Sequence, residues 1–300
     1  MRRASAPLEI ICVDVPEAAL EAYEAAFSTA CGAVGFFRDQ VTGDWRVEGV
    51  KPVGAAEPEL AAALVLASAL TGHSPPLLRS ATPAEGWLAR TRAAFPEQLV
   101  GRHFAIRGTH LAGPGRPGRI TLVLDAGLAF GSGEHGSTRG CLLALERIAY
   151  RRPQRILDMG TGSGILAMAA ARLLHGRVLA TDIEPWSVRV ASSNARLNRL
   201  GGSIRFRFAD GWRNRLVHAA APYDLVFANI LARPLCLMAP GLAARLAPGG
   251  TAVLSGLLRS QSRAVEAAHR SRGLRLEGRV QVGAWTTLVL RAAGRSQNAM

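Results

Sequence analysis

Short apolar segments alternate with helix-like segments in the first 82 residues of the chain. Four segments have the apolar content and the turn boundaries of strands: 8–15, 33–37, 45–50 and 76–79. Segments 16–30 and 58–70 have helical composition, and the first opens with Pro16 and carries Glu17 near its positive end. The order β-α-β-β-α-β predicts a smaller, ferredoxin-like α+β domain over residues 1–82.

The rest of the chain alternates strand and helix patterns that are typical of an α/β fold. The strand patterns are 122–125, 156–157, 177–181, 204–208, 223–228, 251–255, 274–282 and 285–291. The helix patterns are 138–148, 165–174, 186–200, 234–246 and 260–271. The last hairpin adds one antiparallel strand to an otherwise parallel sheet. We therefore predict a Rossmann-like domain with a seven-stranded sheet over residues 101–293.

Three further segments connect or follow the two predicted domains. Residues 83–100 are expected to form a linker with a short helix that carries Trp87 and Phe95. Residues 107–119 are rich in glycine, proline and arginine, which predicts an exposed loop. Residues 294–300 are expected to be disordered.

A glycine-rich turn follows the strand pattern at 156–157. Gly160, Gly162 and Gly164 occupy alternate positions before a helical segment, so a ligand can lie against bare backbone and an anionic group can bind the free N–H groups of the helix. The dinucleotide fingerprint would need its third glycine at Ile165, which argues against a nicotinamide cofactor. The turn is a candidate site for another nucleotide-type cofactor.

Acidic residues end the next two strand patterns. Asp182 lies eighteen residues beyond Gly164, where a carboxylate can accept two hydrogen bonds from a ribose diol. It is also placed to cap the helix that begins near Pro185, but together with the glycine turn we favour ribose binding. Asp210 follows the third strand. A contact with the cofactor and a cap of the short helix at Trp212 are equally good interpretations of this residue.

Three motifs in this part of the chain resemble one family. They are Ala-Phe-Gly-Ser-Gly-Glu-His-Gly-Ser-Thr ending at Thr138, Asp-x-Gly-x-Gly-x-Gly from Asp158, and Asn-Ile-Leu-Ala-Arg-Pro-Leu from Asn229. The chain resembles the bacterial methyltransferases of the large-subunit ribosomal protein L-eleven, the PrmA type. It departs from them at Ser132 and Ser137, where the family usually has threonine, and at Gly136, where it often has proline.

The resemblance implies an enzyme that binds S-adenosylmethionine and methylates lysine side chains and the N-terminal amine of that ribosomal protein. It places Thr138, Gly160, Asp182 and Asn229 at the cofactor-contacting positions, with Gly162 and Gly164 in the same turn. It also implies that Asp210 lies by the adenine amino group and that the first domain docks the substrate.

Asn229 is the candidate catalytic residue. Its side-chain carbonyl and the neighbouring backbone carbonyls can hold a neutral amine with its lone pair aimed at the sulfonium methyl group. A lysine amine, with an ordinary pKa of about 10.4, must first lose a proton. Glu134 and His135 are ionisable candidates for that step, although desolvation or proton loss to water would serve equally. Our hypothesis is that His135 shapes the loop.

The net charge of +14 is unevenly distributed. The first 82 residues carry six basic and ten acidic side chains, so they hold −4 and the remainder holds +18. Lys51 is the only lysine, and the arginine excess is consistent either with a nucleic-acid surface or with a GC-rich coding sequence. An acidic first domain suits a basic protein substrate.

Several classes of site and location are disfavoured by composition. Cys12, Cys31, Cys141 and Cys236 are too scattered for a metal-ligand pair, so we predict no metal and no disulfide framework. The longest apolar run, 61–70, is too short for a membrane span, and the start lacks a signal sequence. We expect a cytoplasmic monomer. A methyltransferase acting on RNA or a small molecule, and a non-catalytic binding module, remain as alternatives.

Overall fold

A computed structural model describes residues 7–38, 44–82, 97–109, 111, 113, 115–124 and 136–294. Two compact units, Met1–Ala93 and Ala94–Met300, make up the chain. The helix expected around Trp87 and Phe95, the motif positions from Ala129 to His135 and most of the expected disordered tail lie outside the described residues. Among the helices that are described, none has the length and apolar content needed to cross a membrane.

The first unit is a four-stranded antiparallel sheet with two helices. Its strands are β1 (Leu8–Val15), β2 (Ala33–Arg38), β3 (Trp45–Pro52) and β4 (Leu78–Thr82), in the order β2-β3-β1-β4. Its helices are α1 (Leu20–Ser28), preceded by a 3-10 turn at Glu17–Ala19, and α2 (Glu57–Thr71). Alternate residues of β1, including Ile11 and Val13, are buried in the core. This topology confirms the ferredoxin-like prediction.

A buried ion cluster ties the first unit together. Lys51 in β3 is fully buried, and its Nζ lies 2.7 Å from Glu9 in β1 and 2.5 Å from Glu57 at the start of α2. Nζ also donates to the carbonyl of Ala55 at 2.8 Å, and Arg79 in β4 pairs with Glu57 at 2.6 Å. Burial opposes the charge of Lys51, but hydrogen bonds from Nζ to Glu57 and Glu9 outweigh it and raise the pKa of the amine.

The second unit begins with a small sheet, of which the sequence predicted one strand, at residues 122–125. Its strands are β5 (Gln98–Val100), β6 (Phe104–Gly108) and β7 (Ile120–Leu124), with β6 in the middle. Residues 98–100, within the predicted linker, therefore form a strand. The expectation that the exposed loop starts at Arg107 is wrong, because Arg107 and Gly108 are buried in β6, paired in register with β7.

The main sheet of the second unit has seven strands in the order β10-β9-β8-β11-β12-β14-β13. They are β8 (Arg155–Met159), β9 (Arg177–Asp182), β10 (Ile204–Phe208), β11 (Tyr223–Asn229), β12 (Leu246–Leu258), β13 (Leu274–Val282) and β14 (Trp285–Ala292). Of these seven strands, β14 alone runs in the opposite direction to the others. The Rossmann-like fold with one antiparallel strand is thus confirmed, whereas the domain boundaries at residues 82, 100 and 293 stay predictions.

Helices cover both faces of this sheet. They are α3 (Gly136–Ile148), α4 (Ile165–Leu174), α5 (Pro185–Leu197), α6 (Arg215–Ala219), α7 (Ala232–Arg245) and α8 (Ser262–Arg270), with 3-10 turns at Ala149–Arg151 and Gly211–Arg213. Helices α3, α4 and α5 contribute to one apolar core, and α6, α7 and α8 to the other. Because β8 to β12 are parallel, the carboxyl ends of β8, β9, β10 and β11 lie at the same edge of the sheet.

Candidate active site

The glycine turn between β8 and α4 has a backbone that only glycine adopts readily. Gly160, Gly162 and Gly164 have φ of +73°, +54° and +83°. The N–H groups of Gly160 and Thr161 both donate to the carbonyl of Thr181 at 2.9 Å, which fixes the turn against the end of β9. A Cβ on Gly164 would lie 3.0 Å from Ala191 in α5, so this position also permits close helix packing.

Asp158, at the end of β8, stabilises the glycine turn through hydrogen bonds. Its Oδ2 accepts hydrogen bonds from the Thr161 hydroxyl at 2.6 Å and from the Ala167 N–H at 3.1 Å. Burial raises the pKa of this carboxyl to about 6. The other carboxyl oxygen, Oδ1, is buried and has no hydrogen-bond partner among the described residues. Asp158 therefore connects the strand, the turn and the first turn of α4.

Asp182, at the end of β9, is bound to the same turn. Its Oδ2 accepts from the N–H of Gly162 at 2.9 Å, and its Oδ1 accepts from the N–H of Glu184 at 3.0 Å. The N-cap residue of α5 is Glu184, so Asp182 is not itself the cap. Each carboxylate oxygen keeps lone-pair capacity for a further donor such as a ribose hydroxyl.

Asn229, at the end of β11, meets the first turn of α3. Its Nδ2 donates to the hydroxyl of Thr138 at 3.2 Å, so two of the predicted site residues lie in contact although they are far apart in sequence. The next residue, Ile230, is confined between two glycines: a Cβ on Gly160 would lie less than 3.0 Å from its Cγ2, and one on Gly256 would lie 2.5 Å from its carbonyl oxygen. This confinement fixes the chain just after Asn229.

Comparison with known proteins agrees with this geometry. A family model described as ribosomal protein L11 methyltransferase (PrmA) matches residues 50–293. The chain is 44% identical over 216 residues to the ribosomal protein L11 methyltransferase of Rhizobium meliloti, covering 72% of this chain and 74% of that one. The corresponding protein of Caulobacter sp. is 41% identical over 253 residues, or 84% and 85% of the two chains. The chain belongs to the ribosomal protein L11 methyltransferase family.

A solved structure supports the same assignment. The ribosomal protein L11 methylase of Lactobacillus delbrueckii subsp. bulgaricus superposes with a TM-score of 0.58 at 32% identity, over 66% of this chain and 98% of that one. The resemblance inferred from the three motifs is thereby confirmed. As a member of this family, the protein is an S-adenosylmethionine-dependent methyltransferase.

One departure from the usual family motif has a structural explanation. Gly136 begins α3, and a Cβ at this position would lie 2.7 Å from the carbonyl oxygen of Val282. Proline, which the family often has here, would bring that Cβ, so glycine suits this close approach between α3 and β13. Glu134 and His135 lie outside the described residues, and the hypothesis about His135 stays a prediction.

A buried hydroxyl network that sequence reasoning missed anchors α3. Ser255, which is fully buried, lies beside Asn229 in the register of β11 and β12. Its hydroxyl donates to the carbonyl of Ser137 at 3.1 Å and lies 2.7 Å from the hydroxyl of Thr287 in β14. Two strands of the sheet therefore hold the turn that carries Thr138. The sequence does not reveal this network, because its residues come from distant segments of the chain.

Apolar side chains border the edge near Asp182. Ile183 and Trp186 follow it, Phe208 lies opposite it in the register of β9 and β10, and all three are more than half exposed. Such side chains suit a flat ring such as adenine. Asp210 lies just beyond, exposed, with its carboxylate 3.0 Å from Arg213, and its side chain does not cap the 3-10 turn that follows it. Its adenine contact stays a prediction.

In the described parts of the two units, no group of three histidine, cysteine, aspartate or glutamate side chains is placed to hold a metal ion. The four cysteines are free, with Cys141 buried and Cys12, Cys31 and Cys236 half-buried. Burial raises the pKa of the Cys141 thiol to about 12, so it stays protonated at neutral pH.

Proposed function

We propose that this protein transfers methyl groups from S-adenosylmethionine to the lysine and N-terminal amines of ribosomal protein L11. The contact between Asn229 and Thr138, beside the glycine turn and Asp182, is the observation that carries the proposal. It brings an amide suited to an amine substrate next to groups suited to the cofactor. A ribosomal protein substrate also assigns the reaction to the cytoplasm.

The residues at this edge of the sheet fit the cofactor. The turn at Gly160 presents bare backbone, Asp182 offers two carboxylate oxygens to a ribose, and Ile183 offers an apolar surface to a purine. The Oδ1 atom of Asp158, which has no partner in the part of the chain that the structure describes, is a further acceptor next to the turn. On the same basis, we propose that Gly162, Gly164, Asp210 and Thr138 contact the cofactor.

The cofactor, when bound, supplies an electrophilic methyl group on a sulfonium, so the protein mainly has to orient the amine and exclude water. Asn229 is suited to orienting it, because Nδ2 is engaged with Thr138 and the carbonyl Oδ1 is left as an acceptor. An amine N–H bound to Oδ1 fixes the direction of the nitrogen lone pair. The amine reaches this position neutral after its proton is lost to water or to a nearby base.

The first unit is proposed to dock the substrate. The charge of −4 on its first 82 residues is opposite to that of a basic ribosomal protein, and such attraction increases association rates more than it stabilises the complex. The KM for ribosomal protein L11 should therefore rise with ionic strength as charges are screened, whereas the KM for the cofactor should change little.

Incubation of the enzyme with labelled S-adenosylmethionine and isolated ribosomal protein L11, followed by mass spectrometry, tests the proposal. We expect label on amines of the protein, and label in RNA or a small molecule instead would contradict it. Asn229→Ala should lower kcat by about 100-fold, because the amine loses its orientation, while calorimetry shows a much smaller change in cofactor affinity. Asn214→Ala is the matched control, since that amide caps α6 instead.

A further inference from the structure

An arginine surface lies along β10, the edge strand of the main sheet. Arg205 and Arg207 are exposed and two residues apart, so their side chains leave the same face of the strand about 6.6 Å apart. Among the described strands, β10 has β9 as its single neighbour. The two cations therefore stand in a row at an open edge.

The segment after β10 extends this surface. Asn214 donates to the carbonyl of Phe208 at 3.2 Å, which brings the flanking Arg213 and Arg215 back to the end of the strand. Both arginines are exposed. We call Arg205, Arg207, Arg213 and Arg215 the β10 arginine surface.

The charge of this surface is almost uncompensated. Asp210 is the one acidic residue from 205 to 215, and it pairs with Arg213. Within the described residues, Arg205, Arg207 and Arg215 form no ion pair.

The opposite edge strand, β13, is different although it is also rich in arginine. Glu277 lies between Arg275 and Arg279 and forms ion pairs with Arg151 at 2.7 Å and Arg291 at 3.1 Å. Arg279 is itself paired with Glu266. Abundant arginine therefore produces a mixed surface at one edge and a surface with a single acidic partner, Asp210, at the other.

We propose that the β10 arginine surface binds the phosphate backbone of RNA. A guanidinium can bind a phosphate through two parallel hydrogen bonds, and a row of cations complements a chain with one negative charge per nucleotide. The inference rests on the proposed function only in that a ribosomal protein substrate is found with RNA.

Fluorescence anisotropy with a labelled oligouridylate of about 16 nucleotides tests this on the full-length protein. The triple variant Arg205→Gln, Arg207→Gln, Arg215→Gln removes three unpaired charges. If each neutralises one phosphate, the slope of log affinity against log salt falls by about 2, and affinity at about 0.15 M salt falls about 50-fold. The matched control, Arg263→Gln, Arg272→Gln, Arg275→Gln, removes the same charge from exposed positions around α8 and should change affinity less than about 3-fold.

Two further measurements complete the test. Methylation of isolated ribosomal protein L11 should be unchanged in the triple variant, which also demonstrates that it is folded. A variant with lysine at the same three positions keeps the three charges and should restore the slope of log affinity against log salt, because that slope depends on the number of neutralised phosphates. Because RNA binding is measured without the substrate protein, failure of L11 methylation would overturn the proposed function and leave this inference standing.

Two results would overturn the inference. One is an equal loss of RNA affinity in the triple variant and in the α8 control, which would mean that net charge alone matters. The other is tighter binding to vesicles of anionic lipid than to the oligonucleotide, abolished by the same three substitutions, which would assign the surface to membranes.

Discussion

Replacing Gly160 by alanine separates two demands that the glycine turn makes on the chain. The backbone at Gly160 has φ of +73°, which costs an L-residue about 1–2 kcal/mol. The new methyl group would also lie less than 3.0 Å from Cγ2 of Ile230. Ile230 has little room to move away. Its N–H donates to the carbonyl of Ser255 at 3.2 Å, and Gly256 lies against the carbonyl of Ile230.

Gly160→Ala carries both the backbone strain and the collision with Ile230, whereas a matched control carries the strain alone. Gly273, between α8 and β13, has φ of +86°, and a Cβ added there would meet no atom within 4 Å, so Gly273→Ala carries the strain alone. Overpacking against Ile230 adds about 1–3 kcal/mol to the destabilisation of Gly160→Ala. A displacement of about 1 Å at Ile230 would also move Asn229 and lower kcat about 100-fold.

Urea unfolding and methyl transfer from labelled cofactor measure these effects side by side. Gly273→Ala should be mildly destabilised and fully active, whereas Gly160→Ala should be less stable and nearly inactive. Ile230→Ala removes Cγ2 and should restore part of the stability of Gly160→Ala in the double variant. Equal activity of Gly160→Ala and Gly273→Ala would refute the reasoning, since the collision with Ile230 would then have no consequence for Asn229.

Two more variants test Asp182 and a buried acid of the first unit. Asp182→Asn should weaken cofactor binding about 10-fold or more in calorimetry, because hydrogen bonds to a charged group contribute about 1.5–3 kcal/mol; unchanged affinity would exclude the ribose role. Burial, reinforced by Glu21, raises the pKa of Glu24 in α1 from 4.5 to about 7, so the folded state retains the proton and stability should fall as pH rises from 4.5 to 7. Glu24→Gln should remove that loss of about 3 kcal/mol, measured by hydrogen exchange of α1 peptides, whereas Glu21→Gln on the exposed side should not.

The fold was largely predictable because its elements carry local signals. The bounds of β1, α4, β10 and β13 follow from apolar periodicity and flanking turns. Strands β5 and β6 escaped prediction because each is short and gains stability mainly from its neighbours. The sequence predicts that strand β12 begins at residue 251, whereas it begins at Leu246 and runs through Pro248, Gly249 and Gly250. The strand continues through these residues because Gly249 adopts φ of +71° and the pairing with β11 shifts register there.

The candidate site was predictable only in part, for a similar reason. Glycines and acids at strand ends announce a cofactor turn, so Gly160 and Asp182 were identifiable one by one. Ser255 and Thr287 were not, since an isolated hydroxyl in an apolar strand carries no sign that it supports a helix from another segment. Asp158 carried a signal, an acid directly before the glycine turn, that reveals its function only when its bond to Ala167 is seen.

The buried ion cluster of the first unit has a consequence for an enzyme proposed to modify lysine. Lys51 is the only lysine of the chain, its side chain is fully buried, and the raised pKa of its amine keeps the nitrogen protonated and without a free lone pair. The surface obtains its positive charge from arginine, whose guanidinium is a poor nucleophile. Neither the enzyme nor a second copy of it therefore presents a lysine amine that competes with the substrate. In a labelling experiment, methyl-lysine is diagnostic of the substrate protein.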